Sequence, residues 1–185
     1  MEVVPLITMK HWEIVDFEEE IKKLSEEQIL YIYDLDGIEK DKPNLCTFQR
    51  LSKDLDIWVD SGPRDLGDVV DLFLAGAKAV TIRKNLFPNL DISKIREISE
   101  NKVYIKIDYK ENIIVEDPDG FINFEGYEKL QEKFEYSSLL NNYAKRKNVY
   151  TYDSEIKNIN FWKKQGFERF VVDLDKFEEF KKYGL

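Results

Sequence analysis

The sequence predicts an α/β fold with a mainly parallel sheet, and three observations indicate it. Apolar segments of strand length alternate with segments whose apolar residues recur at helical spacing, almost from the first residue. The repeats are short, which is typical of β-α-β units with right-handed crossovers. Most of the predicted strands also end in an aspartate, and the carboxyl ends of parallel strands share one rim. We expect one domain over residues 1–185, because no linker or low-complexity tract divides the chain.

Seven strands are predicted from runs of aliphatic, β-branched and aromatic residues that end at turn signals. They cover residues 3–8, 29–34, 56–60, 79–83, 103–108, 148–153 and 168–173. Helices are predicted where apolar residues return every three or four positions. They cover residues 17–24, 44–55, 65–76, 91–100, 127–134, 141–147, 158–165 and 177–183. The repeat weakens after residue 108, where residues 109–115 are predicted to form an arm and residues 135–140 a weak eighth strand.

Two architectures agree with this pattern, and the number of strands favours the closed one. A closed eight-stranded barrel usually needs roughly 200 to 250 residues, so a chain of 185 residues is short for it. An open doubly wound sheet usually begins with a glycine-rich turn that holds phosphate, but the first turn here is Met9-Lys10-His11-Trp12. The prediction is therefore a reduced TIM-type (β/α)8 barrel with a degenerate sixth unit, and the open sheet is the alternative.

Composition excludes several classes of function. A net charge of -9 argues against nucleic acid or an anionic membrane as a partner, because phosphate contacts need clustered lysine and arginine. No apolar run approaches the roughly 20 residues that span a bilayer. The single cysteine, Cys46, cannot form an internal disulfide, so we expect a cytoplasmic protein, and the frequent Lys, Glu and Ile suit a thermophile. His11 is the only histidine, which argues against zinc sites built on histidines and a serine–histidine–aspartate triad.

The aspartates at the strand ends define the candidate site. They are Asp34, Asp60, Asp108, Asp153 and Asp173. Carboxylates that share one rim repel each other unless a cation or nearby arginine and lysine offset them. Mg²⁺ held by one or two of these carboxylates and by water is one explanation of the pattern, and no other cofactor is expected. Helix capping on a solvated acidic surface is the alternative explanation.

Alternation along the strands predicts which charged residues meet inside a barrel. If Asp108 points inward, Lys106 does so as well, and Arg83 and Asp60 follow on the two preceding strands. We therefore expect these four side chains to lie within reach of each other. An interior lysine flanked by carboxylates forms a salt bridge, or, if its pKa is lowered, serves as a Schiff-base nucleophile.

One stretch of the sequence resembles a known family. Leu30-Tyr31-Ile32-Tyr33-Asp34-Leu35-Asp36-Gly37, followed by Lys42-Pro43-Asn44-Leu45, resembles the second βα unit of the histidine-biosynthesis barrels, which include phosphoribosylformimino aminoimidazole carboxamide ribotide isomerase. Asp60-Ser61-Gly62-Pro63-Arg64 stands where that family has a strand that ends in glycines and arginine. The resemblance covers roughly residues 1–108 and continues faintly over 148–177. It implies a (β/α)8 barrel that acts on a substrate with two phosphates.

The departures from that family predict a different activity. The resemblance implies an acid and a base on the first and fifth strands; Asp108 occupies the second of these positions, but Thr8 occupies the first and does not titrate near neutral pH. The last two turns, Asp153-Ser154-Glu155 and Asp173-Leu174-Asp175, are acidic and would repel a phosphate. We therefore expect the second phosphate site and the histidine-pathway activity to be lost.

Two functions remain as hypotheses. The first is isomerase- or lyase-type acid–base chemistry on a small phosphorylated metabolite. For it, the expected catalytic residues are Asp108, Lys106 and Asp34, and the expected substrate-binding residues are Asp36, Asp60, Arg64, Arg83, Lys84 and Asp153. The second is a catalytically silent barrel that serves as a subunit or regulatory partner, and self-association is left open. Pairing of Arg83 with Asp60 and of Lys106 with Asp108 would favour the silent barrel.

Overall fold

The computed structural model describes residues 1–14, 21–22, 24, 28–83, 85–107, 113–116, 149–153 and 155–183. The strands are β1 (Glu2–Lys10), β2 (Glu13–Ile14), β3 (Ile29–Asp34), β4 (Asp56–Asp60), β5 (Ala77–Arg83), β6 (Lys102–Ile107), β7 (Ile113–Glu116), β8 (Val149–Tyr152) and β9 (Arg169–Asp173). The α-helices are α1 (Leu35–Lys40), α2 (Leu45–Leu51), α3 (Leu66–Leu74), α4 (Ile92–Ile98), α5 (Ile159–Lys164) and α6 (Phe177–Tyr183). Short 3₁₀ helices cover Ile156–Asn158 and Leu174–Lys176.

The sheet closes on itself. Its order is β2-β1-β3-β4-β5-β6-β7-β8-β9, and β1 also pairs in parallel with β9, with Val4 opposite Val171. β2 lies outside the ring as the second arm of a hairpin with β1. Of the eight strands in the ring, β7 alone runs antiparallel to both of its neighbours. The α/β class and the reduced TIM-type barrel are therefore confirmed, and the degenerate sixth unit is a strand of reversed direction.

One strand of the ring lies where the sequence predicted an arm. The ring place between β6 and β8 belongs to β7, which overlaps the predicted arm at residues 109–115. The physical reason is connectivity: antiparallel strands can be joined by a short turn, whereas parallel strands need a crossover of a dozen or more residues. The predicted strand at 135–140 and the helices at 127–134 and 141–147 lie outside the described residues, as does nearly all of the helix at 17–24.

Two short elements had no counterpart in the sequence prediction. The β1–β2 hairpin turns at His11 and Trp12, whose φ angles of 54° and 66° are those of a two-residue hairpin turn that usually carries asparagine and glycine. Helix α1 follows β3 without a loop, because Asp34 is its N-cap and accepts a hydrogen bond from the Gly37 N–H. Trp12 N–H donates to Asp36 Oδ2 at 3.0 Å, which fastens the hairpin to the first turn of α1.

The barrel has two apolar layers. The outer layer packs the helices against the sheet and includes Ile7, Ile32, Val59, Val80, Phe170 and, from the helices, Phe48, Val69, Ile95, Trp162 and Phe180. The inner layer fills the barrel with Tyr31, Trp58, Tyr104 and Tyr150, together with Val4, Leu6, Ala79, Ile114 and Val171. Trp58 is central, with ring centroids 3.9 Å from Tyr104, 4.9 Å from Tyr31 and 5.1 Å from Tyr150. Among the described residues, the interior of the barrel is therefore a packed core of side chains.

Within the described part of the chain, no helix has the length and apolar character that crossing a membrane requires.

Candidate functional site

A cavity of about 150 Å³ lies inside the barrel, above the aromatic inner layer and toward the carboxyl ends of the strands. Its lining residues come from six different strands: Leu6, Thr8, Tyr31, Tyr33, Lys106, Ile114, Tyr152 and Val171. Thr8 and Tyr33 are register partners on β1 and β3, and Lys106 and Ile114 are partners on β6 and β7. The alternation of side chains along the strands turns these residues into the interior, as the sequence predicted for Lys106.

A buried ion pair lies beside the cavity. Arg83 Nε donates to Asp60 Oδ1 at 2.9 Å and Arg83 Nη2 donates to Asp60 Oδ2 at 2.7 Å. Asp60 is completely buried, and Tyr31 Oη donates to its Oδ2 at 2.8 Å. Burial alone would lower the pKa of Arg83, but the hydrogen bonds and the charge of Asp60 outweigh it and raise that pKa. The predicted contact between Asp60 and Arg83 is therefore present, and the two side chains form an ion pair.

Two cations lie near the ring of Tyr33. Lys106 Nζ is 5.3 Å from the centroid of the Tyr33 ring, and Arg83 Cζ is 5.4 Å from it. Arg83 and Lys106 are register partners on β5 and β6, so their side chains leave the sheet at the same level. Contacts of this kind are attractive because the face of the ring is electron-rich. They place the positive charge of Lys106 in the wall of the cavity.

Another part of the cavity wall carries a phenol backed by a carboxylate. Tyr152 Oη donates to Asp173 Oδ1 at 3.1 Å and lies 3.4 Å from Oδ2. Burial chiefly raises the pKa of Asp173, and burial together with the nearby charge of Asp173 raises the pKa of Tyr152. The pattern of strand-end aspartates indicates Asp173, but it does not indicate Tyr152. The available signal was the alternation on β8, which turns Tyr150 and Tyr152 to the same side.

The chain matches the family model described as histidine biosynthesis protein over residues 14–149, well over half of its length. It belongs to that family. No curated protein matches the chain. In this histidine biosynthesis family member, the position at which the resemblance implied a first-strand acid is Thr8, and Thr8 lines the cavity.

The motif that carried the family resemblance shapes the rim of the barrel. Asp34 is buried and accepts from Asn44 N–H at 3.0 Å and from Asn44 Nδ2 at 2.7 Å, in addition to capping α1. Asp36 accepts from Lys40 Nζ at 2.7 Å and from Trp12 N–H. Burial raises the pKa of Asp34, whereas the hydrogen bond from Lys40 is the main reason that the pKa of Asp36 falls to about 2. Both carboxylates accept several hydrogen bonds, which hold α1 and the loop after it.

Two further predicted binding residues also hold local structure. Arg64 donates to the carbonyl oxygens of Gly37, Ile38 and Gly62 at 3.0–3.1 Å. Asp153 accepts from the Glu155 N–H at 2.9 Å, from Asn158 Nδ2 at 3.2 Å and from Trp162 Nε1 at 2.8 Å. Neither residue is among those that line the cavity. The structure therefore places Arg83 next to both Asp60 and Lys106, whereas Arg64 and Asp153 hold backbone and helix groups near their own strands.

Two predicted site residues, Asp108 and Lys84, lie outside the described residues. The expected pair between Lys106 and Asp108 therefore stays a prediction. Among the residues that the structure describes, no cluster of three or more histidine, cysteine, aspartate or glutamate side chains could hold a metal ion. Since Asp108 is not among them, Mg²⁺ at the rim is still an untested expectation.

Proposed function

We propose that this protein is a reduced barrel of the histidine biosynthesis family that binds one small anionic metabolite in the cavity at the carboxyl ends of its strands. The proposal includes the loss of the family's reaction on a substrate with two phosphates. The observation that carries it is the composition of the cavity wall: Lys106 is the only charged side chain among the described lining residues, and it is a cation.

The size of the cavity sets the size of the ligand. Pockets for drug-sized ligands usually measure roughly 300–1,000 Å³, and a cavity of roughly 150 Å³ accommodates a molecule such as benzene. The cavity here has about 150 Å³, so it suits a single phosphate or carboxylate with a short carbon skeleton. A sugar with two phosphates exceeds that volume. This mismatch supports the loss of the histidine-pathway substrate.

The charges around the cavity support an anion rather than a cation. An ammonium group has three hydrogen-bond donors and no acceptor, so Lys106 suits phosphate or carboxylate oxygens. Arg83 forms a bidentate pair with Asp60, so its guanidinium stabilises the interior of the barrel and is not proposed to bind the ligand. In the proposed site, Lys106 is the principal anion-binding group and the Thr8 and Tyr33 hydroxyls contribute further donors.

For the chemistry, we propose Asp108 as a single acid–base group, because it follows β6 directly and belongs to the same strand end as Lys106. One carboxylate beside a bound anion suits proton abstraction next to a carbonyl, which is the first step of isomerase- and lyase-type reactions. The second candidate function is a silent subunit that binds the anion without turnover. The Asp60–Arg83 pair and the presence of Thr8 at the first-strand position favour it.

The test of anion binding compares two lysines on one strand. Inorganic phosphate at roughly 100 times its Kd should stabilise the fold by about 2.7 kcal/mol, which raises Tm by roughly 5–11 °C for a chain of this size. Lys106→Met should abolish this shift. Lys102→Met, at the other end of β6, should retain it. If phosphate, sulfate and small carboxylates all leave the Tm unchanged, the proposal is wrong.

A second measurement separates the enzyme from the silent subunit. Small phosphorylated aldehydes and ketones incubated with the protein in D₂O would exchange the hydrogen next to their carbonyl if Asp108 abstracts it, and proton NMR detects that exchange. The enzyme hypothesis expects exchange in the wild type and none in Asp108→Asn, while phosphate binding persists in both. Binding without exchange for every compound of the panel would support the silent subunit.

A further inference from the structure

The hydroxyl of Tyr152 has a fixed direction. A tyrosine hydroxyl has one hydrogen to donate and two lone pairs that accept. An ionised carboxylate can only accept, so the hydrogen of Tyr152 Oη must point to Asp173, at 3.1 and 3.4 Å from its two oxygens. Tyr152 lines the cavity, and Asp173 does not. Toward the cavity, Tyr152 therefore presents an acceptor.

The two polar walls of the cavity are opposite in character. Lys106 on β6 presents donors and a positive charge. Tyr152 on β8 presents an acceptor whose electron density is increased by the carboxylate behind it. The two strands are separated by β7, which contributes the apolar Ile114 to the wall between them. A ligand that contacts both walls needs an acceptor at one end and a donor at the other.

We propose that the cavity selects a compact ligand that carries an anionic group against Lys106 and an ammonium or hydroxyl group that donates to Tyr152. This inference rests on the proposed anion site and names its substrate class as small amino or hydroxy acids, with a phosphonate, phosphate or carboxylate as the acid. The partial burial of Asp173 supports it, because a donor or cation near that pair offsets the partial loss of solvent around the charge.

Three phosphonates of nearly equal size test the selection. Methylphosphonate, hydroxymethylphosphonate and aminomethylphosphonate share the anionic group and differ in the donor at the other end. By isothermal titration calorimetry, aminomethylphosphonate should bind about tenfold or more tightly than methylphosphonate, which is the usual size of a hydrogen bond to a charged or polarised group. Hydroxymethylphosphonate should fall between them.

The advantage of the donor should depend on the phenol and on the carboxylate behind it. Tyr152→Phe keeps the ring and removes the acceptor, and Asp173→Asn removes the charge, so both should reduce the tenfold preference to about twofold or less. Asp175→Asn is the matched control, since it makes the same chemical change at a neighbouring exposed aspartate and should keep the preference. Circular dichroism establishes that each variant is folded, and if Tyr152→Phe unfolds, Asp173→Asn decides.

The outcomes distinguish this inference from the function on which it rests. Equal binding of all three phosphonates by the wild type would contradict the proposed selection of a donor group by Tyr152, but it would not contradict the anion site. A preference that persists in both Tyr152→Phe and Asp173→Asn would do the same. If none of the three binds, the anion site itself is wrong and the inference falls with it.

Discussion

The buried pair of Asp60 and Arg83 allows the sharpest prediction. Both side chains are almost completely inside the barrel, and their contact is bidentate at 2.9 and 2.7 Å. Taking one partner away leaves the other charge buried without compensation, which typically costs about 3–5 kcal/mol. Arg83→Met keeps an unbranched apolar side chain and removes the guanidinium with its charge. Because the hydroxyl of Tyr31 still donates to Asp60, we expect the lower end of that range, about 3 kcal/mol.

A double-mutant cycle shows whether this loss comes from the pair itself. Asp60→Asn should cost a similar amount, since it leaves the guanidinium buried. The double variant Asp60→Asn/Arg83→Met should cost about 1 kcal/mol or less, because replacing a whole buried pair by neutral residues is often close to neutral. The expected coupling is therefore several kcal/mol, far above the roughly 0.3–0.5 kcal/mol scatter of independent sites.

Urea unfolding with a fixed m-value measures the cycle, and calorimetry should show Tm falling by roughly 6–12 °C in each single variant. The matched control is the exposed pair of Arg169 and Glu2, an arginine–carboxylate contact of 2.9 Å at the other end of the barrel. Its disruption by Arg169→Met should cost at most about 1 kcal/mol. Additive losses at Asp60 and Arg83, or equal losses for the buried and the exposed arginine, would refute the reasoning.

Three further predictions concern the framework of the site. The pKa of the Asp36 carboxylate is lowered from 3.8 to about 2, so its charge stabilises the fold above pH 3.8 and this contribution is lost as the pH falls through about 2. Urea unfolding should therefore show Asp36→Asn less stable than the wild type at neutral pH, with a difference that decreases in acid. Trp162→Phe removes the hydrogen bond to Asp153 and should lower the urea midpoint by the equivalent of about 1.5–3 kcal/mol, whereas a change below 0.5 kcal/mol would show that the bond contributes nothing. Gly37→Ala should cost about 1–3 kcal/mol in the same assay, because a Cβ there would approach the Ser61 carbonyl oxygen to 2.5 Å; an unchanged midpoint would mean that the backbone moves freely.

The sequence was sufficient to predict the ring of parallel strands and the contact between Asp60 and Arg83 inside it. Alternation along β4, β5 and β6 predicted that Asp60, Arg83 and Lys106 face one interior, and the structure brings these three together. It was insufficient for β7, because a four-residue strand next to turn-forming residues gives no distinct periodicity. It was also insufficient for the hairpin turn at His11 and Trp12, which adopts positive φ angles without glycine or asparagine.

The strand-end aspartates show why a rim of carboxylates is a weak predictor of chemistry. Asp34 and Asp153 stand where catalytic carboxylates would stand in a parallel barrel, yet each accepts several hydrogen bonds from the loop or helix that follows its strand. A helix that begins directly after a strand needs an acceptor for its first N–H groups, and aspartate supplies one. Aspartate at the end of a strand is therefore typical both of a helix cap and of a catalytic site, and only the hydrogen-bond partners of each carboxylate distinguish the two roles.

The height of the aromatic layer explains why the cavity is small and where specificity must reside. In barrels of this class the interior is filled by layers of side chains, and here Trp58 and three tyrosines fill the lower layers. Among the described residues that line the cavity, Thr8, Tyr33, Lys106 and Tyr152 are the polar groups nearest the carboxyl ends of their strands, and the proposed ligand would contact them. These residues stand on strands fixed by ladder hydrogen bonds and not on loops, so the geometry of recognition is set by strand register. In the proposed site, substitutions at these four positions should therefore change which ligand is bound.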